Sequence, residues 1–287
     1  MYLHIFGFGY VATALSLLLR PESFTTRGGS PKNTAQALDH ATHLLITAPP
    51  ELVPFEDILA EHTRLEDGED AKSGDPCLDQ FAHLIANSAK LQWIGYCSTT
   101  GVYGDRQGAT VDEASAPTPT QPRSIRRLQV EQAWRNIRPD LPLDIFRLAG
   151  IYGPGRSAFD DLRAGRARRI IAPDHKFSRI HRDDAARAIA AAIMRPAKTG
   201  ARILHLADDL PAASADVTAY AAELAGLPNP PAVPLAEALP RMSPMARSFW
   251  AESRLVENKA TKRALGIRWL YPTYREGLEA IWAEKTQ

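Results

Sequence analysis

Gly7-Phe8-Gly9-Tyr10-Val11-Ala12 spells a Gly-x-Gly-x-x-Ala turn. It joins the apolar run Tyr2–Phe6 to a helix-forming stretch, Val11–Arg20, that Pro21 closes. A strand, a glycine turn and a helix in that order can hold a pyrophosphate. The first glycine permits the tight reversal, and the second lets backbone N–H groups approach the phosphates. Ala12 keeps the helix against the sheet, so that the helix N-terminus faces the negative charge. Gly7, Phe8, Gly9, Tyr10 and Val11 are the expected contacts, although the bare pattern also occurs in turns that are merely tight.

About twenty residues past the glycines, such a site chooses its cofactor. A carboxylate there bonds the ribose 2′-hydroxyl of NAD and repels the 2′-phosphate of NADP. This chain carries Thr25-Thr26-Arg27-Gly28-Gly29-Ser30-Pro31-Lys32 instead. The Arg27 guanidinium can grip a phosphate with two parallel charged bonds. NADP is expected over NAD, with an ordinary surface arginine as the other reading of Arg27.

The elements that must position these residues alternate. Tyr2–Phe6, Ser23–Arg27 and His43–Thr47 read as strands, with helices at Val11–Arg20 and Thr34–His40. Glu61–Pro76 interrupts the rhythm with acidic, Gly-containing sequence that lacks the spacing of a calcium loop. It reads as a solvated insertion. The pattern resumes with helix Cys77–Ala89, strand Leu91–Cys97, helix Ile125–Asn136 and strand Leu143–Leu148. Helix Asp184–Met194, with Asp183 as its N-cap, then precedes a last sheet strand, Arg202–Leu206. Strand–helix alternation predicts a parallel sheet with right-handed crossovers. The Pro-rich, helical remainder reads as a smaller domain.

Composition narrows the function classes. The 287 residues are 45% hydrophobic and 23% charged, with a net charge of +1, so no global field recruits nucleic acid or anionic membrane. Cys77 and Cys97 form no metal or disulfide pattern, and no run of about 18 apolar residues offers a membrane span. The opening Tyr2–Phe6 run is too short for a signal-peptide core, so a cytoplasmic protein is expected. Arg163, Arg166, Arg168 and Arg169 form a basic patch, either a solvated face or a seat for an anionic group. Without interleaved aromatics it does not suit nucleic acid.

Further segments carry a resemblance: Cys97-Ser98-Thr99-Thr100-Gly101-Val102-Tyr103-Gly104-Asp105, Val111-Asp112-Glu113, Arg147-Leu148-Ala149-Gly150-Ile151-Tyr152-Gly153-Pro154-Gly155-Arg156 and Ile180-His181-Arg182-Asp183-Asp184. With the glycine turn and the tail Tyr271-Pro272-Thr273-Tyr274-Arg275-Glu276-Gly277-Leu278, they span nearly the whole chain. The sequence resembles the extended short-chain dehydrogenase/reductase superfamily, the sugar-nucleotide epimerase and dehydratase relatives, in an atypical branch. The resemblance implies an α/β Rossmann fold, a doubly wound parallel sheet with a smaller C-terminal substrate domain. It places Thr47, Ala48 and Pro49 against the nucleotide, Cys97 and Ser98 beside it, and Ile151 near the nicotinamide. The implied NADP-binding domain is 1–150 completed by 178–210, with 151–177 and 211–287 forming the substrate domain.

In that superfamily a Ser or Thr, a Tyr and a Lys four residues after the Tyr perform the chemistry. Thr99 corresponds to the first of these, while the Tyr and Lys positions fall on Arg123 and Arg127. No tyrosine stands between Tyr103 and Tyr152, and no lysine between Lys90 and Lys176, so no shift of register restores the pair. An arginine stays protonated at ordinary pH and cannot act as a general acid or base. Arg127 can still supply positive charge to ribose hydroxyls or to an anionic small-molecule substrate. Tyr103, Tyr152 and His181 are the remaining proton-donor candidates, but the tyrosines read more readily as packing residues and His181 as a hydrogen-bonded structural residue. Two functions stay open: an NADP-dependent oxidoreductase or epimerase-like enzyme with an altered acid–base arrangement, and a non-catalytic NADP sensor.

Overall fold

The computed structural model describes residues 1–19, 31–51 and 73–286. The expected strand Ser23–Arg27, Arg27 itself and most of the acidic insertion lie outside these described residues. Contacts divide the chain into two compact units. The first comprises Met1–Val102, Pro117–Arg147 and Ala186–Leu204, and the second Tyr103–Ala116, Leu148–Ala185 and His205–Gln287.

The first unit is built on a five-stranded parallel sheet flanked by helices. Its strands are β1 (Leu3–Phe6), β2 (His43–Ile46), β3 (Trp93–Thr99), β4 (Pro142–Leu148) and β5 (Gly200–Leu206), hydrogen-bonded in that order. Leu3 pairs with His43 and Leu44 with Ile94, so β2 lies between β1 and β3. The helices are α1 (Tyr10–Leu19), α2 (Pro31–His40), α3 (Leu78–Ala86), α4 (Pro122–Ile137) and α5 (Arg182–Met194). Among the described residues, expected elements and observed ones agree to within a few residues at each end. Helix α4 starts earlier than Ile125 because Pro122, with its preset φ and no N–H to lose, occupies its first turn.

Strands buried on both faces need apolar residues at every position, which is why Leu44–Ile46 and Trp93–Tyr96 read as continuous runs. One face packs Leu38, Phe81, Ile85, Val130 and Trp134 from α2, α3 and α4 over Leu44, Ile94, Tyr96 and Ile145. Ala186, Ala188, Ile189 and Ala192 of α5 are fully buried, alanine's small side chain letting the helix lie close. Buried Asp144 in β4 accepts the Trp93 indole N–H at 2.9 Å and both Arg202 donors at 2.7 and 2.9 Å, tying three neighbouring strands together.

Asp75 departs from the expectation of a solvated segment over Glu61–Pro76. It is fully buried, its Oδ1 accepts the N–H groups of Cys77 and Leu78 at 2.9 and 3.1 Å, and its Oδ2 accepts the Trp134 indole N–H at 3.3 Å. A carboxylate just before a helix satisfies the orphan donors of the first turn, so the insertion's end is structural.

The second unit has its own core of Tyr152, Phe159, Ala221, Tyr274, Leu278 and Ile281. Three short parallel ladders thread it: Gly150–Tyr152 with Arg179–His181, Arg169–Ile171 with Ala232–Pro234, and Thr110–Val111 with Leu255–Val256. Among the described residues no helix is long and apolar enough to cross a membrane.

Candidate functional site

The glycine turn assigns different work to its two glycines. Gly7 holds φ at +89°, and a Cβ there would lie 2.4 Å from the backbone nitrogen of Ala48. That approach follows from β1 and β2 being neighbours: the Thr47 and Ala48 N–H groups reach the Phe6 carbonyl at 2.9 and 3.2 Å, and the Thr47 hydroxyl donates to the Gly7 carbonyl. Gly7 is therefore demanded by the fold. Gly9 is not. A Cβ on Gly9 meets no atom within 4 Å among the described residues. Its carbonyl accepts the Thr13 N–H at 2.9 Å in the first turn of α1. Val11 and fully buried Ala12 fix the helix to the sheet, while Phe8 and Tyr10 are half-buried at its start. Among the described residues the space over the Gly9 Cα is open, at the N-terminus of α1. Ala48 is buried, and exposed Pro49 follows it.

Strand alternation sets the roles at the end of β3. Ser98 points into the core, and Cys97 and Thr99 share the other, half-buried face. The Ser98 hydroxyl donates to Glu131 of α4, whose carboxylate also receives Arg147 in two bonds of 2.7 and 3.1 Å. Glu131 and Arg147 are 1% and 3% exposed, so this is a buried ion pair. Arg127, one helical turn before Glu131, donates to the Cys97 carbonyl at 2.9 Å and to the Tyr96 hydroxyl at 3.2 Å. Burial pushes the Cys97 thiol up to about 12, against the pull of the Arg127 cation, so it is no nucleophile at neutral pH. The Thr99 hydroxyl accepts the Gly101 N–H at 3.1 Å, which leaves its own proton available to donate outward. Arg123 stands half-buried in the first turn of α4.

Glu131 went unnoticed in the sequence, yet a signal was there. Val130, Glu131 and Trp134 share the buried face of α4, and a carboxylate on an apolar helical face needs a cation.

The remaining candidates lie in the second unit. Half-buried Ile151 is the middle residue of its ladder, opposite Ile180. The Tyr103 hydroxyl lies 3.1 Å from the Asp112 carbonyl and 2.5 Å from His205 Nε2, while His205 Nδ1 meets the Glu257 carbonyl at 2.7 Å. Tyr152 donates to the Thr273 carbonyl at 3.3 Å, and burial raises its hydroxyl far above the ordinary range. His181 lies edge-on to Tyr152 and 4.2 Å from the Tyr271 ring, measured between centroids. Its Nδ1 accepts the Asp183 N–H at 3.2 Å. The histidine thus serves the start of α5, and Asp183 sits inside that helix instead of capping it. In the basic patch, Arg163 and Arg166 pair with Asp160 and Asp161 at 3.0 and 3.1 Å. Arg168 and Arg169 donate to backbone carbonyls.

Burial lowers His181 and His4 to about 4, while Asp208 is raised to about 8. The two signs oppose each other. A lowered histidine contributes stability that is complete above its ordinary value near 6.5 and lost as pH falls towards 4. A raised carboxyl contributes stability that is complete near 3.8 and lost as pH rises through 8. His181→Asn keeps an acceptor for the Asp183 N–H but cannot titrate. Urea melts between pH 4 and 6.5 should show a shallower fall in stability for this variant, by up to about 3 kcal/mol at the acid end. An unchanged slope would exclude a buried neutral His181.

Sheet order, glycine turn and flanking helices together define a Rossmann-type α/β protein with the fold of the epimerase/dehydratase-like enzymes. No family model matches the chain. A conserved protein of unknown function from Silicibacter pomeroyi superposes with a TM-score of 0.81 and 41% identity, over 100% of this chain and 99% of that one. The chain belongs to the same family as that protein. More distant structures share the fold. MoeE5 in complex with UDP-glucuronic acid and NAD has a TM-score of 0.73 at 18% identity, with full coverage of both chains. Human epimerase family protein SDR39U1 (isoform 2) with NADPH has a TM-score of 0.74 at 17% identity, with 99% of each chain covered. Protein YeeZ of Escherichia coli K12 is 34% identical over 128 residues. The match spans 43% of this chain and 44% of that relative's length.

Proposed function

We propose that this chain is a cytoplasmic NADP-binding protein of the epimerase/dehydratase type that performs hydride chemistry on a small, anionic carbonyl or sugar-nucleotide substrate. The observation that carries the reading is Gly9: packing among the described residues does not require a glycine there, and a pyrophosphate laid against the turn does. Gly7, Phe8, Gly9, Tyr10 and Val11 would hold that group, with Thr47, Ala48 and Pro49 beside them and Arg27 on the 2′-phosphate. Cys97 and Ser98 stand at the end of β3, Cys97 on its half-buried face and Ser98 turned into the core. The bound cofactor supplies the hydride donor or acceptor.

The chain's own chemistry falls to Thr99. Its hydroxyl, fixed by the Gly101 N–H, donates to a substrate carbonyl oxygen. Arg127 is held by the Cys97 carbonyl and contributes fixed positive charge instead of moving a proton. With substrates drawn from carbonyl and sugar-nucleotide panels, NADPH oxidation followed at the nicotinamide band should appear. Thr99→Val should lower kcat about a hundredfold or more, as loss of an oxyanion donor does.

Arginines at both the Tyr and Lys positions favour a second reading, a non-catalytic NADP sensor. Tight NADPH binding without turnover on any panel would select it.

A further inference from the structure

A second concave site lies wholly within the second unit. Helix Lys259–Leu265 ends at Gly266, whose left-handed φ of +61° lets the Gly266 and Ile267 N–H groups return to the Arg263 and Lys262 carbonyls at 3.3 and 3.1 Å. The chain then doubles back, so Trp269 comes to line, with Lys259, Lys262, Arg263 and Arg268, a cavity of about 750 Å³. The helix is fixed from below: the Thr261 hydroxyl donates to Glu113 and accepts the His205 N–H.

The wall's charge is lopsided, four cations against the single carboxylate of Asp209. Exposed carbonyls at a helix end explain Lys262 and Arg263. They do not explain Lys259 in the first turn, where the helix dipole disfavours a cation. Lys262 is paired with Asp209 and Lys259 with Glu257, each at 2.7 Å. Arg263 has no ion pair among the described residues. The floor is apolar: Ile267, Pro272 and the Trp269 ring. Trp269 is 6% exposed, and its indole N–H is shut off from water with no acceptor among the described residues.

We infer that this cavity binds a small organic anion, a phosphate or carboxylate carried on an apolar or aromatic body. Its volume falls in the range of small-molecule pockets. Arg263 and Lys262 take the charged end through charge-assisted bonds, and the apolar body lies on the Trp269 floor. The inference does not depend on dinucleotide binding at Gly7 and Gly9.

Phenyl phosphate is the probe, with inorganic phosphate, benzoate and phenol as separate arms. The readout is the Trp269 indole N–H signal in ¹H–¹⁵N spectra of the full chain, identified by its loss in Trp269→Phe. The signal should move saturably with phenyl phosphate and at least about tenfold more weakly with inorganic phosphate or phenol. Benzoate saturating as phenyl phosphate does would identify the anion as either carboxylate or phosphate; benzoate acting like phenol would restrict it to phosphate. Arg263→Gln should weaken phenyl phosphate about tenfold while leaving the melting temperature unchanged, since its side chain is exposed. A static Trp269 signal at millimolar probe, or a saturable shift unaltered in a normally melting Lys262→Gln/Arg263→Gln variant, would overturn the inference.

Discussion

Gly7→Ala should unfold the first unit well below the wild-type melting temperature, or yield insoluble protein. The added methyl would meet the Ala48 nitrogen at 2.4 Å and the Ala48 Cα at 2.7 Å, which are backbone atoms held by β2 and cannot swing aside. The φ of +89° adds a conformational penalty of about 1–3 kcal/mol, and forced repacking adds a similar amount. Against a typical domain stability of about 5–15 kcal/mol, the sum is a large fraction. Circular-dichroism melts would measure it, and a variant melting within a degree or two of wild type would mean that the β1–α1 turn does not abut β2 as described.

Glu131→Ala is the second large effect. The carboxylate answers both the Arg147 guanidinium and the Ser98 hydroxyl in a place where water cannot replace it. Removing one member of a buried pair costs about 3–5 kcal/mol, because the remaining charge stays desolvated. Glu131→Gln keeps the shape and one acceptor, so it should lose less, and the double change Glu131→Met/Arg147→Met should recover much of the loss. Chemical denaturation of the three variants would read this order. Equal losses in the single and double variants would mean that Glu131 and Arg147 act separately.

The architecture was legible in the sequence because periodicity is local. A four-residue apolar run, a glycine turn and a ten-residue helix announce themselves. The same holds for Cys97–Thr99, whose alternation at the end of β3 is visible in the letters. What depends on distant partners was not legible. Nothing near Gly7 says that Ala48, forty-one residues on, fills the space over its Cα, so the two glycines look equivalent until β1 and β2 are paired. Glu131 and Arg147 meet across sixteen residues, and Asp75 reads as one more acidic residue until Trp134 is seen above it. The ladders of the second unit are two or three residues long, too short to carry a period. Arg27, on which the choice of NADP rests, lies outside the described residues.

The most direct measurement is a calorimetric titration of wild-type protein and Gly9→Val with NADPH and NADH, beside a thermal melt of each. A Cβ on Gly9 meets no atom within 4 Å among the described residues, so the variant should melt as wild type does. On the proposed reading, the same side chain would stand where a bound pyrophosphate has to approach the backbone. Wild type should bind NADPH at least about tenfold more tightly than NADH, from the charge-assisted bonds to the 2′-phosphate. Gly9→Val should bind neither measurably. Wild-type protein that ignores both dinucleotides, or a Gly9→Val variant that binds NADPH as well as wild type, would contradict the assignment of the turn.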